Sequence, residues 1–201
     1  MSTCINWIIT HKNHRTTFGK KTPTDTRLEI IKKKQNVEAL CTSQSDYESM
    51  LMKIPVTQFD TLYIDKLNEF LEKHKIKADG NTEKMHIDSY AGSLLKERKE
   101  APDITAFAEA KEDDFNNIKN FLTATHRYHL INFKGLHAHT ICCYMSGGKI
   151  FGSGSHLYVF DPNIGEFKVP LSEVGYFLSL LVFTHISMGA RNNTLTAYRI
   201  E

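Results

Sequence analysis

The sequence predicts one α+β domain over residues 1–201, helical in residues 1–125 and built on an antiparallel sheet in residues 126–201. Apolar residues recur at helical spacing in the first part, most clearly over residues 57–76. From residue 126 onward this period gives way to short strand-like runs, which glycine-rich turns separate. A chain of 201 residues with 41% hydrophobic content is large enough to bury a sizeable core.

The helical half is predicted to contain an apolar first helix, two amphipathic helices and two shorter helical segments. A basic, threonine-rich stretch, broken by Gly19 and Pro23, separates the first two helices and is predicted to be a loop. A turn-rich connection is predicted over residues 77–89. The predicted helices cover residues 4–11, 27–52, 57–76, 90–99 and 112–123.

The second half is predicted to contain five strands and one strongly apolar helix. That helix covers residues 172–186, and Ser172 is its predicted N-cap. The predicted strands cover residues 128–133, 137–145, 157–160, 166–169 and 194–200.

Composition excludes several classes of function. A formal net charge of +2 favours neither a nucleic-acid binder nor a membrane-surface protein. The basic stretch over residues 12–34 leaves peripheral contact with an acidic lipid or an acidic partner open. No apolar run reaches the ~18–20 residues of a membrane helix, since residues 174–186 are too few. The N-terminal residues lack the apolar core of a signal peptide, so they do not indicate a route of export.

The four cysteines have no spacing typical of a disulfide framework, which favours a reducing compartment. A thiol attacks a carbonyl as thiolate, so an enzyme needs an imidazole beside it and an acceptor on the other ring nitrogen. Cys4 opens the first predicted helix, His137 and His139 share one face of a predicted strand, and Asp161 ends the next strand. These residues indicate a Cys-His-Asp site that requires no cofactor and no metal.

Two segments resemble a known family. The run His139-Thr140-Ile141-Cys142-Cys143-Tyr144, followed by Phe160-Asp161-Pro162-Asn163-Ile164-Gly165-Glu166-Phe167, resembles the YopT-type papain-like cysteine proteases. The resemblance covers about residues 126–201. It implies a papain-like fold with a helical left half and an antiparallel sheet as its right half. It also implies that a histidine acts as general base and that Asp161 orients it.

The same resemblance implies a biological setting. Members of this family are secreted bacterial effectors that act in the host cytoplasm and cleave host signalling proteins. One branch acts on lipid-modified small GTPases and another cuts host kinases. We therefore expect a monomeric thiol protease with a host protein substrate, acting without nucleic acid or a transmembrane segment.

The family histidine lies about five residues before a tyrosine, which favours His139, with Tyr144, whereas the longer spacing of papain itself fits His137. Cys4 lies only three residues before Trp7, a shorter interval than the family has, and no glycine precedes it. Either the helix start is shortened and Cys4 is the nucleophile, or the nucleophile is lost and the domain is a binding module. A further alternative is that the same triad carries out deamidation or acyl transfer.

A metal site formed by His137, His139 and Cys143 is disfavoured, because no second ligand cluster at zinc spacing supports it. The turn-forming residues after Asp161 could also serve a turn alone. The remaining histidines are expected to be at the surface or incidental: His11, His14, His74, His86, His126, His129, His156 and His185.

Overall fold

The computed structural model describes residues 1–13, 29, 34–90, 103–124, 126–135, 138–147, 155–187 and 192–201. Four sequence-based predictions lie wholly or largely outside these residues. They are the loop over residues 12–26, the basic stretch over residues 12–34, the helix over residues 90–99 and the placement of His137.

Six α-helices lie wholly within the described residues: α1 (Ser2–Asn13), α2 (Lys34–Met52), α3 (Phe59–Glu72), α4 (Ile104–Ala110), α5 (Asn116–Leu122) and α6 (Val174–Ser187). Short 3₁₀ turns precede α3, α5 and α6, at Val56–Gln58, Glu112–Phe115 and Leu171–Glu173. Ser172 lies inside the last of these turns, so its prediction as the N-cap of the apolar helix was wrong. In α4 the Asp103 side chain caps the helix by accepting hydrogen bonds from the N–H groups of Thr105 and Ala106.

Six antiparallel strands form one sheet in the order β1-β6-β2-β3-β4-β5. Their bounds are β1 (Ala78–His86), β2 (Tyr128–Gly135), β3 (His139–Met145), β4 (His156–Asp161), β5 (Gly165–Pro170) and β6 (Asn192–Ile200). Five of them were predicted within a few residues of their observed bounds. The sixth, β1, was predicted as a turn-rich connection within the helical half, and it pairs with β6 at the edge of the sheet.

Helices cover both faces of this sheet. The α1-side core contains Cys4, Trp7 and Leu67 together with Tyr144 and Phe160 of the sheet. The α6-side core, on the opposite face, is larger. It contains Phe115, Phe133, Val159, Val182 and Phe183 among others. Because successive side chains of a strand point to opposite faces, Cys142 enters the α1-side core and Cys143 the α6-side core.

In the described part of the chain, no helix combines the length and the apolarity that crossing a membrane requires.

Candidate active site

The β4–β5 turn places a carboxylate at one end of the sheet. Asp161 ends β4, and its Oδ1 accepts a 2.8 Å hydrogen bond from the N–H of Asn163, which is the usual bond of an Asx turn. The backbone closes through a 3.2 Å bond from Ile164 N–H to the Asp161 carbonyl. Gly165 has a φ of 140°, a conformation that side-chain-bearing residues rarely adopt. The Asp-Pro-Asn-x-Gly pattern therefore builds a tight turn that fixes the carboxylate.

His139 stands at the start of β3 and meets that carboxylate. Its Nε2 lies 3.0 Å from Asp161 Oδ1. The Asp161 side chain is fully buried, whereas the His139 side chain keeps 17% of its surface exposed. The imidazole therefore has one nitrogen on a fixed acceptor and an edge open to solvent, which is the arrangement that a general base requires.

A second imidazole contacts the same carboxylate. Nε2 of His185, in α6, lies 3.2 Å from Asp161 Oδ2, and the residue is buried. His11, His129 and His185 were predicted to be at the surface or incidental; all three are buried, so their placement at the surface was wrong. The sequence signal was faint: His185 is the one residue among His, Asp, Glu, Lys and Arg between Val174 and Ile186, in a largely apolar helix.

The hydrogen bonds around Asp161 control its ionisation. Burial by itself raises the pKa of this carboxyl, because it disfavours the charged form. Hydrogen bonds from His139, His185 and the N–H of Asn163 outweigh burial and hold the pKa of Asp161 well below its usual range. Asp161 is therefore an anion throughout the neutral range.

Cys4 lies in the first turn of α1, on the other face of the sheet. Its side chain is fully buried, and its thiol donates to the carbonyl of Thr140, the residue after His139, at 3.2 Å. The Cys142 thiol in turn contacts the Cys4 carbonyl at 3.5 Å. The structure thus brings His139 and Asp161 into direct contact and places Cys4 beside the neighbour of His139.

The other thiols differ in surroundings. Burial raises the pKa of Cys142 and Cys143 well above the usual range, so neither forms a thiolate readily. Cys41, on α2, is exposed and borders the cavity described below. All four cysteines are free thiols.

A hydrogen bond between α1 and β5 explains the presence of Glu166 in the motif. Trp7 Nε1–H donates a 2.7 Å hydrogen bond to the carboxylate of Glu166, the residue after Gly165. The Trp7 ring also stacks on Phe160 at 6.0 Å between centroids and an interplanar angle of 2°. The helix that carries Cys4 is therefore anchored to the hairpin that carries Asp161.

A cavity of about 1050 Å³ opens beside this end of the sheet. Met1 and Thr3 of the α1 end border it, as do His139, Thr140 and Asn163. The far wall is formed by α2 and α3, chiefly by Leu40, Gln44, Tyr47, Leu51 and Tyr63. The site can thus admit a segment of a macromolecule between α2 and the β4–β5 turn.

A chain of polar groups crosses this cavity wall. The Thr140 hydroxyl donates to Asn132 Oδ1 at 3.0 Å, and the Asn132 amide donates to the Tyr63 hydroxyl. Tyr63 and Tyr47 share a 2.8 Å hydrogen bond between their hydroxyls. The strand that carries His139 is thereby linked to both helices of the far wall.

Among the described residues, His139, Asp161 and His185 form a set whose ligand atoms lie within 4.8 Å of one another, which could hold a metal ion. Hydrogen bonds between each imidazole and the carboxylate account for this geometry without a metal. The alternative set of His137, His139 and Cys143 is not assembled in the described part, since His137 lies outside it and Cys143 is in the α6-side core.

Residues 1–199 match the model of peptidase family C58, which is described as Yersinia/Haemophilus virulence surface antigen. The chain belongs to this peptidase family. It is a papain-like cysteine protease of bacterial virulence type, as the resemblance of its C-terminal half implied. Membership of this family therefore favours an active protease over the alternative of a papain-like binding module without activity.

The C58 chain also resembles a solved structure, the Pseudomonas avirulence protein AvrPphB, with a TM-score of 0.67 and 13% sequence identity. The similarity covers 100% of this chain and 89% of that chain. At that identity the likeness shows the fold alone, and the predicted papain-like α+β fold is confirmed. No curated protein matches this C58 chain in sequence.

Proposed function

We propose that Cys4, His139 and Asp161 form a triad that cleaves a peptide bond in a host protein. The observation that carries this proposal is the 3.0 Å contact between His139 and the fully buried Asp161 beside a large open cavity. A buried carboxylate fixed by three donors is a strong orienting group for an imidazole. No cofactor takes part in this chemistry.

The geometry assigns roles to the two ring nitrogens of His139. Nε2 is engaged by Asp161, so in the neutral ring it carries the proton and Nδ1 is the acceptor. Nδ1 lies 3.4 Å from the side-chain amide nitrogen of Asn163, which donates to it in the resting state. Nδ1 is therefore the nitrogen that would take the proton of the attacking thiol.

Cys4 supplies that thiol in the proposal, and it has to leave the Thr140 carbonyl to reach Nδ1 of His139. Thr140 follows His139 in β3, so the thiol would move from the carbonyl of one residue to the ring of the residue before it. The N-terminal end of α1 faces the cavity and favours negative charge there. The backbone N–H of Cys4, or the amide of Asn6, would stabilise the oxyanion.

The reaction then follows the usual order for a thiol protease. The proton of Cys4 moves to His139 Nδ1 while Sγ forms a bond to the carbonyl carbon of the substrate. The carbon–nitrogen bond breaks as His139 returns the proton to the leaving amine. Water, deprotonated by His139, hydrolyses the thioester, releases the acid product and restores the thiol.

The family supports the proposed setting, in which the chain is a secreted effector acting on a protein in the host cytoplasm. Within that setting, the substrate is a lipid-modified small GTPase or a kinase, the two classes that the resemblance of the motif indicates. Both candidates are folded proteins with accessible segments that could enter the cavity between α2 and the β4–β5 turn.

The test compares wild-type protein with Cys4→Ala, His139→Ala and Cys41→Ala. Each protein is incubated with host-cell lysate, and new protein N-termini are identified by mass spectrometry. Iodoacetamide labelling of each cysteine is followed at mildly acidic pH. We expect new N-termini with wild type and Cys41→Ala, and none with the other two variants.

Labelling of Cys4 should be lost in His139→Ala, whereas labelling of exposed Cys41 should not change. Cleavage that survives Cys4→Ala would overturn the assignment of the nucleophile. A substrate that gains the mass of an amide-to-acid conversion or of an acyl group, with no new terminus, would replace hydrolysis by deamidation or transfer.

A further inference from the structure

The ionised Asp161 side chain is fully buried, so each of its oxygens needs a donor from the protein. Oδ1 has two donors, Nε2 of His139 at 3.0 Å and the N–H of Asn163 at 2.8 Å. Oδ2 is contacted by Nε2 of His185 at 3.2 Å. His185 thus occupies the place that a solvating water would otherwise take on the second oxygen.

The His185 ring is held in position by its neighbours. It lies 5.0 Å from the Phe133 ring and 4.8 Å from the His139 ring, measured between centroids, with interplanar angles of 39° and 41°. The His185 residue is 5% exposed. It therefore covers one face of His139 while its Nε2 points at the carboxylate that His139 also uses.

We propose that His185 is a positioning residue for the C58 site: its Nε2–H holds the Asp161 carboxylate in the orientation that fixes the tautomer and angle of His139. This inference rests on the proposed function for its catalytic meaning, although its geometry does not involve Cys4. Three elements meet at this carboxylate, since β3 supplies His139, β4 supplies Asp161 and α6 supplies His185.

The contacts of Asp161 also assign the protons of the two imidazole rings. Asp161 is the acceptor of both imidazoles, so each ring carries a hydrogen on Nε2 in its neutral form. The groups that face this carboxylate are His139 from β3, His185 from α6 and the backbone N–H of Asn163 from the turn. Without a donor at position 185, Oδ2 would be buried and unsatisfied, and the carboxylate would turn away from His139.

The test uses ¹⁵N-labelled full-length protein and imidazole NMR spectra. Wild-type protein should show both His139 and His185 as Nε2–H tautomers. His185→Phe keeps a ring of similar shape without a donor. His185→Gln keeps a donor near the position of Nε2 without the ring. His129→Phe is the matched control, because His129 is also fully buried. It pairs with Cys143, four residues from His139 in β3, which places it about 13 Å from His139 along the strand direction.

In His185→Phe, the His139 Nε2–H proton should exchange with solvent about 10- to 100-fold faster, the factor expected for one hydrogen bond to a buried charge. His185→Gln should restore most of the protection, and His129→Phe should leave it unchanged. A merely structural ring would give the opposite order, with Phe tolerated and Gln not. Unchanged exchange in His185→Phe, or a wild-type His185 with its proton on Nδ1, would overturn the proposal.

Thermal unfolding of each variant separates loss of positioning from loss of folding. If His185→Phe does not fold, the wild-type tautomers and the His185→Gln variant still decide the matter. The spectra do not depend on a substrate or on Cys4. Absence of cleavage by wild type, with both tautomers as expected, would therefore count against the proposed triad and not against His185.

Discussion

Asp161 is the residue on which the site depends, because its two oxygens join β3, β4 and α6 at one point. The sequence motif predicted its position after a strand and its pairing with His139. Spacing could not predict His185, which is 24 residues further along the chain on an apolar helix. Which face of that helix meets the carboxylate is decided by how α6 packs on the sheet, and a single sequence does not contain this information.

Replacement of Asp161 by Asn tests the charge at constant shape. The side chain of Asn has an NH₂ group in place of one carboxylate oxygen of Asp. This NH₂ group would face at least one of the N–H donors that now bind the carboxylate. We expect Asp161→Asn to lower the free energy of unfolding at neutral pH by about 1–3 kcal/mol. Equilibrium denaturation in urea measures this, with wild type as reference.

The pH dependence of that difference has a definite sign. The pKa of Asp161 is lowered on folding, so its stabilisation is complete above the unfolded pKa of about 3.9 and is lost as the pH falls below it. The gap between wild type and Asp161→Asn should therefore begin to narrow below about pH 4 and continue to narrow as the pH falls toward the lowered pKa of the folded state. A gap independent of pH would show that shape and not charge is responsible.

At the scale of elements, the link between α1 and β5 explains why one motif contains both Asp161 and Glu166. Asp161 contacts His139, while Glu166 accepts a hydrogen bond from Trp7 on the helix that carries Cys4. A few residues of one hairpin thus position both halves of the site. The sequence predicted the turn, but the partner of Glu166 became apparent only from the packing of α1 against β4.

Trp7→Phe removes the donor of this link and keeps a ring to stack on Phe160. The Glu166 carboxylate then loses a charge-assisted hydrogen bond, so we expect a destabilisation of about 1–3 kcal/mol in urea denaturation. Glu166→Gln retains an acceptor and should cost less. The double variant should not be additive, since Glu166→Gln can only weaken a bond that Trp7→Phe has already removed. Full additivity would contradict the link.

The strand β1 shows where prediction from sequence fails. Residues 78–86 read Ala-Asp-Gly-Asn-Thr-Glu-Lys-Met-His, a composition typical of turns. The strand lies at an edge of the sheet, most of its side chains are exposed or half-buried, and Gly80 at a φ of 84° falls where its register with β6 shifts. Pairing with β6 overrides local preference here, as is common for edge strands.

For the whole molecule, the buried His129 predicts how stability responds to acid. Burial, and then the positive charge of Arg199, lower the pKa of His129 from 6.5 to about 3. In the described residues neither ring nitrogen has a hydrogen-bond partner, and the ring packs edge-on against Phe121. The folded protein therefore keeps His129 neutral at pH values where an unfolded chain would protonate it.

Because the unfolded state binds the extra proton, stability should fall as the pH drops from about 6.5 toward 3. The loss between pH 7 and about pH 4.5 should be roughly 2–3 kcal/mol. In His129→Phe the contribution of His129 to this slope should disappear over the same interval, while the change attributed to Asp161 remains below about pH 4. Urea denaturation at several pH values checks both, and an unchanged slope in His129→Phe would refute the assignment.

The proposed triad takes its residues from both faces of the sheet. Side chains of β3 alternate, so His139 belongs with Asp161 and His185 on the α6 side, whereas Cys4 comes from the α1 side. Neither core by itself contains both the proposed base and the proposed nucleophile. For the proposed triad, this means that Cys4 and His139 can act together only in a chain whose α1 and α6 layers are both docked on the sheet.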